Sequence, residues 1–234
     1  MAHDPADSAA AFAELGRIKL GETDLNGVLD RVADLAQRTL PAAAQVSITL
    51  IRDGSAYTPA HTGEIALQLD ESQYEQDGGP SLEAAAAKTT VYVADTAGDD
   101  RWGGWPARAA MSGVGSMLSV GLPIVENVSG ALNIYGRPAR AFDEEAIALA
   151  QTFVRYAAVA LANAHLYDTT ATLASHMQAA MESRAVIEQA KGIIMGERRC
   201  TADEAFAILT RVSQDTNRKL RDVAAALVDS TQRG

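Results

Sequence analysis

Arg184–Val228 reads RAVIEQAKGIIMGERRCTADEAFAILTRVSQDTNRKLRDVAAALV. Apolar residues recur along it at helical spacing: Ile187, Ala190 and Ile194, then Phe206, Leu209 and Val212, then Leu220, Val223, Ala224 and Leu227. That period places each set on one face of a helix. Thr201-Ala202-Asp203-Glu204 is a capping box, in which the threonine hydroxyl takes a backbone N–H and Glu204 reaches back to the helix start. Asn217 is placed to N-cap a further helix running to about Asp229. The stretch therefore predicts three short helices closing a core that is marginal on its own.

Basic residues fall on lines of their own. Arg184, Lys191 and Arg198 are seven apart and share a helix face. Arg218, Lys219 and Arg221 open the third helix, where exposed N–H donors and the positive dipole end add to their charge. Two readings fit: a surface that holds phosphates, or a solvated surface with near partners such as Glu188. Charge alone does not separate them.

Upstream of this module, Leu166, Leu173 and Ala180 continue the seven-residue spacing into Ile187 and Ile194, with Met177 and Met181 beside them. No Gly or Pro interrupts Asp143 through Lys191, so one long helix is expected, softest near Asp168-Thr169-Thr170. Its stripe of Leu166, Leu173, Met177 and Ala180 reads as a homodimer seam or as a face packed within the chain.

The first two thirds alternate between helix and strand. Amphipathic helices are expected over Phe12–Leu40, with a break at Gly21 and Thr23 or Asp24 as a cap. Gln45–Arg52 alternates with period two, and Asp53-Gly54 turns it into a returning strand over Ala56–His61. No element is assigned between His61 and Gly78. Gly78-Gly79-Pro80 opens a helix over Ser81–Lys88, Thr89–Val93 is a strand, and a short helix lies near Pro106–Met111. Ser116–Val125 and Ser129–Tyr135 form a strand pair turning at Glu126-Asn127. This order predicts an α+β domain, an antiparallel sheet with flanking helices, joined by the long helix to the three-helix module. The expected division is a disordered lead-in over 1–11, a domain over 12–168, a helical connector over 169–183 and the module over 184–234.

Composition narrows the function. The chain carries a net charge of −10, unevenly spread. Residues 1–175 hold 11 Lys and Arg against 22 Asp and Glu, net −11, while residues 176–234 hold 9 against 8, net +1. Most of the chain repels a polyanion and its end does not. One cysteine, Cys200, excludes an intrachain disulfide and a multi-cysteine zinc site. No apolar run of spanning length and no basic leader is evident, which reads as a cytoplasmic protein without membrane partners.

Several upstream segments resemble a GAF domain: Gly79–Ala84, Val91–Asp95, Arg101-Trp102, Ser116–Val120, Gly130–Tyr135 and Phe142-Asp143-Glu144. The resemblance implies a small-molecule pocket between the sheet and its helices, with the ligand and the pocket residues unidentified. Cyclic-nucleotide-binding members pair Asn with Lys and space a Phe from Asp-Glu. Here Ile134 follows Asn133, and Phe142 abuts Asp143, which argues against that ligand. No cysteine is present in the domain to attach a bilin. His61 as a haem ligand is weighed against an ordinary strand-end histidine. Ser81 either faces a ligand or sits in a first helical turn. Trp102 and Trp105 either lid a ligand or anchor a loop. No cofactor or metal is assigned.

Arg184–Val228 resembles an ANTAR domain, an RNA-binding output module of bacterial antitermination regulators. Gln189–Met195, Asp203–Phe206, Leu209, Ser213-Gln214 and Asn217–Ala224 carry the resemblance. It implies a dimer that binds paired small stem-loops in leader transcripts and favours an antiterminated RNA fold, so that downstream genes are read through. The RNA-contacting candidates are Arg184, Gln189, Lys191, Arg198, Ser213, Asn217, Arg218, Lys219 and Arg221, the polar ones reading unstacked bases and the basic ones holding backbone. Gly192 costs about 1 kcal/mol against alanine inside a helix, so a close helix crossing or backbone approach is expected there in preference to a contact with RNA. Together the resemblances imply a ligand-responsive antitermination regulator. The alternative is a DNA-binding transcription factor with a helix-turn-helix, although duplex DNA fits the long first helix poorly. No P-loop, HExxH or GxSxG motif is present, and an enzyme is not expected.

Overall fold

The computed structural model describes residues 5–18, 23–125 and 128–232, so the expected Gly21 break and the Glu126-Asn127 turn lie outside the described residues. The chain divides into two compact units, Met1–Asp168 and Thr169–Gly234.

The first unit is built on five antiparallel strands: β1 (Gln45–Arg52), β2 (Ser55–His61), β3 (Thr90–Val93), β4 (Ser116–Val125) and β5 (Val128–Gly136), in the order β2-β1-β5-β4-β3. Asp53 and Gly54 both take positive φ, which is the geometry of a two-residue hairpin between β1 and β2. Helices cover both faces of the sheet. Helices α1 (Pro5–Leu15), α2 (Leu25–Thr39) and the start of α6 (Glu144–Arg198) lie on one side. Helices α3 (Glu64–Glu75), α4 (Pro80–Ala87) and α5 (Trp105–Met111) lie on the other.

The two sheet faces differ in chemistry. Val46 and Ile48 pair across strands with Ile134 and Leu132, which in turn meet Leu118 and Val120, and Leu50 lies on the same face opposite Gly130. This apolar face packs on Val28, Leu29 and Val32 of α2 and on Phe153, Ala157 and Leu161 of α6. Burial of these side chains is the main stabilising term of the unit. Alternation turns Ser47, Asn133 and Ser119 to the other face, where they form one cross-strand row and are fully buried. Period two is therefore obeyed, but the polar face looks into a second core instead of into water.

Helix α1 begins at Pro5, inside the stretch expected to be a lead-in, and buries Ala11 and Leu15 in the main core. Asp24 is the cap of α2, accepting from the Gly27 N–H at 2.9 Å. Helix α3 is the element absent from the sequence reading. It buries Asp70, Ser72 and Gln73 beside Ala66 and Leu69, so its inner face does not read as apolar. Asp143 accepts from the Ala146 N–H at 2.8 Å and starts α6, which runs without a break through Asp168-Thr169-Thr170. One 18-residue stretch of α6 reaches a mean hydropathy of 1.2, with 33% of it buried, so this helix is long and apolar enough to pass as a weak membrane span. Within the first unit that apolar content is explained by the face of α6 that packs on the sheet.

In the second unit the end of α6 packs with α7 (Ala202–Thr216) and α8 (Leu220–Gln232). Ala190, Ile194, Ala205, Leu209, Val223, Ala224 and Val228 form its core. Phe206 and Val212, expected inside, are 43% and 42% exposed; Ala205 takes the inner place, and its small side chain suits a close approach of the helices. The capping box is complete, with Thr201 N–H to Glu204 Oε2 at 2.8 Å and Glu204 N–H to Thr201 Oγ1 at 3.3 Å. These bonds hold the Glu204 carboxyl below its usual range.

Candidate nucleic-acid interface and sensor interior

The basic residues of the second unit occupy two places. On α6, Arg184, Lys191 and Arg198 follow one line. Arg184 and Arg198 are exposed. The Lys191 side chain is only 16% exposed, and its Nζ donates to both carboxylate oxygens of Glu188 at 2.9 and 3.0 Å. Lys191 is thus braced within its own helix, and the line presents two outlying arginines rather than three equal cations. Gln189 is exposed but lies about 160° round the helix from Lys191, so it does not share that surface.

The second place is the junction of α7 and α8. Asn217 is not an N-cap. It closes α7 in the left-handed conformation at φ 50°, with the Arg218 N–H bonded to Ser213 O at 3.1 Å and its own N–H to Gln214 O at 3.3 Å. This is a Schellman ending, and asparagine tolerates that backbone better than most residues. Lys219 takes the cap position of α8, its carbonyl accepting from Asp222 and Val223. The Ser213 hydroxyl donates to Arg218 O at 2.6 Å, which fixes the junction and occupies the hydroxyl's one proton. Arg218, Lys219 and Arg221 are exposed around the start of α8, with Arg221 Nε 3.4 Å from Asp222. Cations at a helix N-terminus oppose its dipole, and a bound anion removes that cost. The residues expected to form a seam, Leu173, Met177 and Ala180, are exposed on α6, Leu173 and Met177 at 60% each, as is Leu166.

The interior of the first unit holds a group that the sequence reading missed. Asp70 of α3 is fully buried and accepts from Thr58 Oγ1 at 2.8 Å, from Asn133 Nδ2 at 3.3 Å and from the Tyr135 hydroxyl in a short bond. Asn133 also donates to Thr49 Oγ1 at 2.8 Å and accepts from Ser119 Oγ at 3.0 Å. The Tyr74 hydroxyl joins Thr49 and Thr58 at 2.9 and 2.7 Å. Burial pushes the Asp70 carboxyl up from 3.8 to about 6, held back by its hydrogen-bond donors. Burial and the neighbouring Asp70 push the Tyr74 and Tyr135 hydroxyls up as well. The visible signal was the set of polar residues at inner positions of β1 and β5; their carboxylate partner comes from an unassigned helix.

Helix α4 sits tight against the sheet. A Cβ at Gly121 would stand 2.6 Å from Ala84 O, and one at Gly79 would stand 2.1 Å from Gln73 Oε1. The Gln73 side chain there receives the Ser81 N–H at 2.8 Å and donates to Ser81 Oγ at 2.9 Å, so Ser81 is satisfied inside its helix start. Trp105 is buried and donates to Leu69 O at 3.0 Å, while Trp102 stands edge-on to it at 6.4 Å and donates to Glu83 at 3.0 Å. Both therefore anchor their loop. His61 Nδ1 is buried without a hydrogen-bond partner among the described residues. A cavity of about 340 Å³ remains, lined by Gln45, Ile65, Ser112, Tyr135 and Arg137 among others. It touches the polar network through Tyr135. Among the described residues no cluster of three or more His, Cys, Asp or Glu is placed to hold a metal.

Two family models match the chain: GAF domain over residues 22–162 and ANTAR domain over residues 175–228. Free methionine-R-sulfoxide reductase from Neisseria meningitidis, solved with its substrate, is similar at a TM-score of 0.53 and 16% identity over 73% of this chain and 96% of that one. The GAF domain of a phosphoenolpyruvate-protein phosphotransferase from Coxiella burnetii is similar at a TM-score of 0.52 and 19% identity over 70% and 98%. At these identities the likeness shows the fold. The one cysteine, Cys200, lies outside the residues matched as GAF. No curated protein matches the chain.

Proposed function

We infer that this chain, which belongs to the GAF family and carries an ANTAR domain behind its sensor, is a ligand-responsive antitermination regulator acting as a dimer on leader RNA. Its architecture is that of an RNA-binding antitermination regulator. The observation that carries it is the placing of exposed cations on the matched ANTAR module, Arg184 and Arg198 on α6 and Arg218, Lys219 and Arg221 at the start of α8, behind an acidic sensor. Those cations position a phosphate backbone. The sensor's ligand enters the cavity beside Tyr135 and Arg137, where a small polar molecule meets a hydroxyl tied to Asp70. An RNA target places the protein in the cytoplasm.

Gel shifts with leader RNA and with duplex DNA test the reading. Wild-type protein should bind RNA hairpins, and Arg218→Glu with Lys219→Glu should lower affinity and flatten its salt dependence. The short α7–α8 link, residues 217–219, is the feature that keeps a helix-turn-helix in view. Duplex binding without RNA binding would establish that alternative.

A further inference from the structure

The two heptad lines of α6 change character together. Leu166, Leu173 and Ala180 form one line, and seven residues on it continues as Ile187 and Ile194. Its upper members are exposed, Leu173 at 60%, whereas Ile194 is 6% exposed and sits in the core with α7 and α8, and Ile187 packs against that core. Thr170 and Met177 form the adjacent line, which continues as Arg184, Lys191 and Arg198. In a parallel pair of helices both lines face the partner. Above Ala180 they offer an apolar seam. From Arg184 on, one line is already taken by the chain's own α7 and α8, and the other carries like charges to the two-fold axis.

A seam cannot continue under those conditions. Its apolar knobs are withdrawn and its remaining line repels its copy. We propose that the paired α6 helices part at Arg184, and that the fork between them, lined by Arg184 and Arg198 of both copies, is a composite RNA-backbone site that neither copy makes alone. Lys191, tied to Glu188, stiffens each wall between the two arginines, which stand about 21 Å apart along the helix. The fork gathers four exposed arginines of one sign, and a phosphodiester backbone is the partner that relieves their repulsion. The proposal rests on the dimeric RNA-binding reading above and names where the first of its two cation groups acts.

The test uses the full chain with Cys200→Ser, so that any engineered thiol is alone. Ala180→Cys should cross-link two copies on oxidation, as facing positions of a parallel seam do; failure to cross-link would overturn the parallel fork. The RNA probe is a hairpin selected by the wild-type chain from a library with a fixed stem and a randomised loop. Cross-linked dimers are then made with Arg184→Glu and Arg198→Glu on one copy only. A composite site gives a single class of binding weakened by about tenfold or more, restored by lysine at both positions. Half the sites bound at unchanged affinity would show independent sites and sink the fork, while leaving RNA binding intact. Selection of no hairpin by the wild-type chain would remove the RNA-binding reading itself.

Discussion

Asp70 is a carboxylate in a place where water cannot reach it. Its folded pKa, about 6, lies above its ordinary 3.8, so the folded state binds the proton more tightly. Its contribution to stability is therefore fully present below about pH 4 and is lost as pH rises through about 6, to the extent of about 3 kcal/mol. Asp70→Asn should remove that term. Chemical denaturation of both proteins at about pH 4.5 and about pH 7.5 should show a stability gap that opens at the higher pH; parallel pH profiles would mean that Asp70 is not the titrating group. Gly192 makes a second case. A Cβ there meets nothing within 4 Å, so no packing inside the unit requires glycine. Gly192→Ala should stabilise the second unit by about 1 kcal/mol in thermal melts, and a lower melting temperature would contradict this.

Elements decide what single residues mean. Asn217 carries the signature of an N-cap, but α7 runs on to Thr216 and uses it as a left-handed ending. Asn217→Gly should therefore keep both stability and RNA affinity, whereas Asn217→Val should cost about 1–2 kcal/mol. Loss of RNA binding with an intact melt in the glycine variant would instead make the Asn217 amide a base contact. Helix α6 is the other case. Its apolar stripe at Leu173, Met177 and Ala180 is exposed over a stretch where the helix, taken alone, is marginal in water. Leu173→Asp should weaken self-association in sedimentation velocity, and an unchanged dimer would move the seam elsewhere on the surface.

At the scale of the molecule, two units of unequal strength share one helix. The first has apolar layers on both sides of a five-stranded sheet. The second has a core built largely from alanine and single branched residues of three helices, too small to be robust by itself. The proposed dimer would add to its stability by mass action. Thermal unfolding should show two transitions, with the one assigned to the second unit rising with protein concentration. Two concentration-independent transitions would argue for a self-sufficient output module.

The sequence by itself determined the order of the strands and of most helices, the capping box at Thr201, the hairpin at Asp53-Gly54, the continuity of α6 and the two-module organisation. Each is written in local spacing, which is read over a few residues. Tertiary structure decided the rest. Helix α3 faces inward with Asp70 and Gln73, so its period is hidden until the polar row of Ser47, Asn133 and Ser119 is seen to receive it. Lys191 looks like its neighbours on the line but is covered and tied to Glu188. Phe206 and Ala205 trade places because packing distance between helices selects the smaller side chain. Periodicity assigns a residue to a face; only the packed neighbours decide what that face meets.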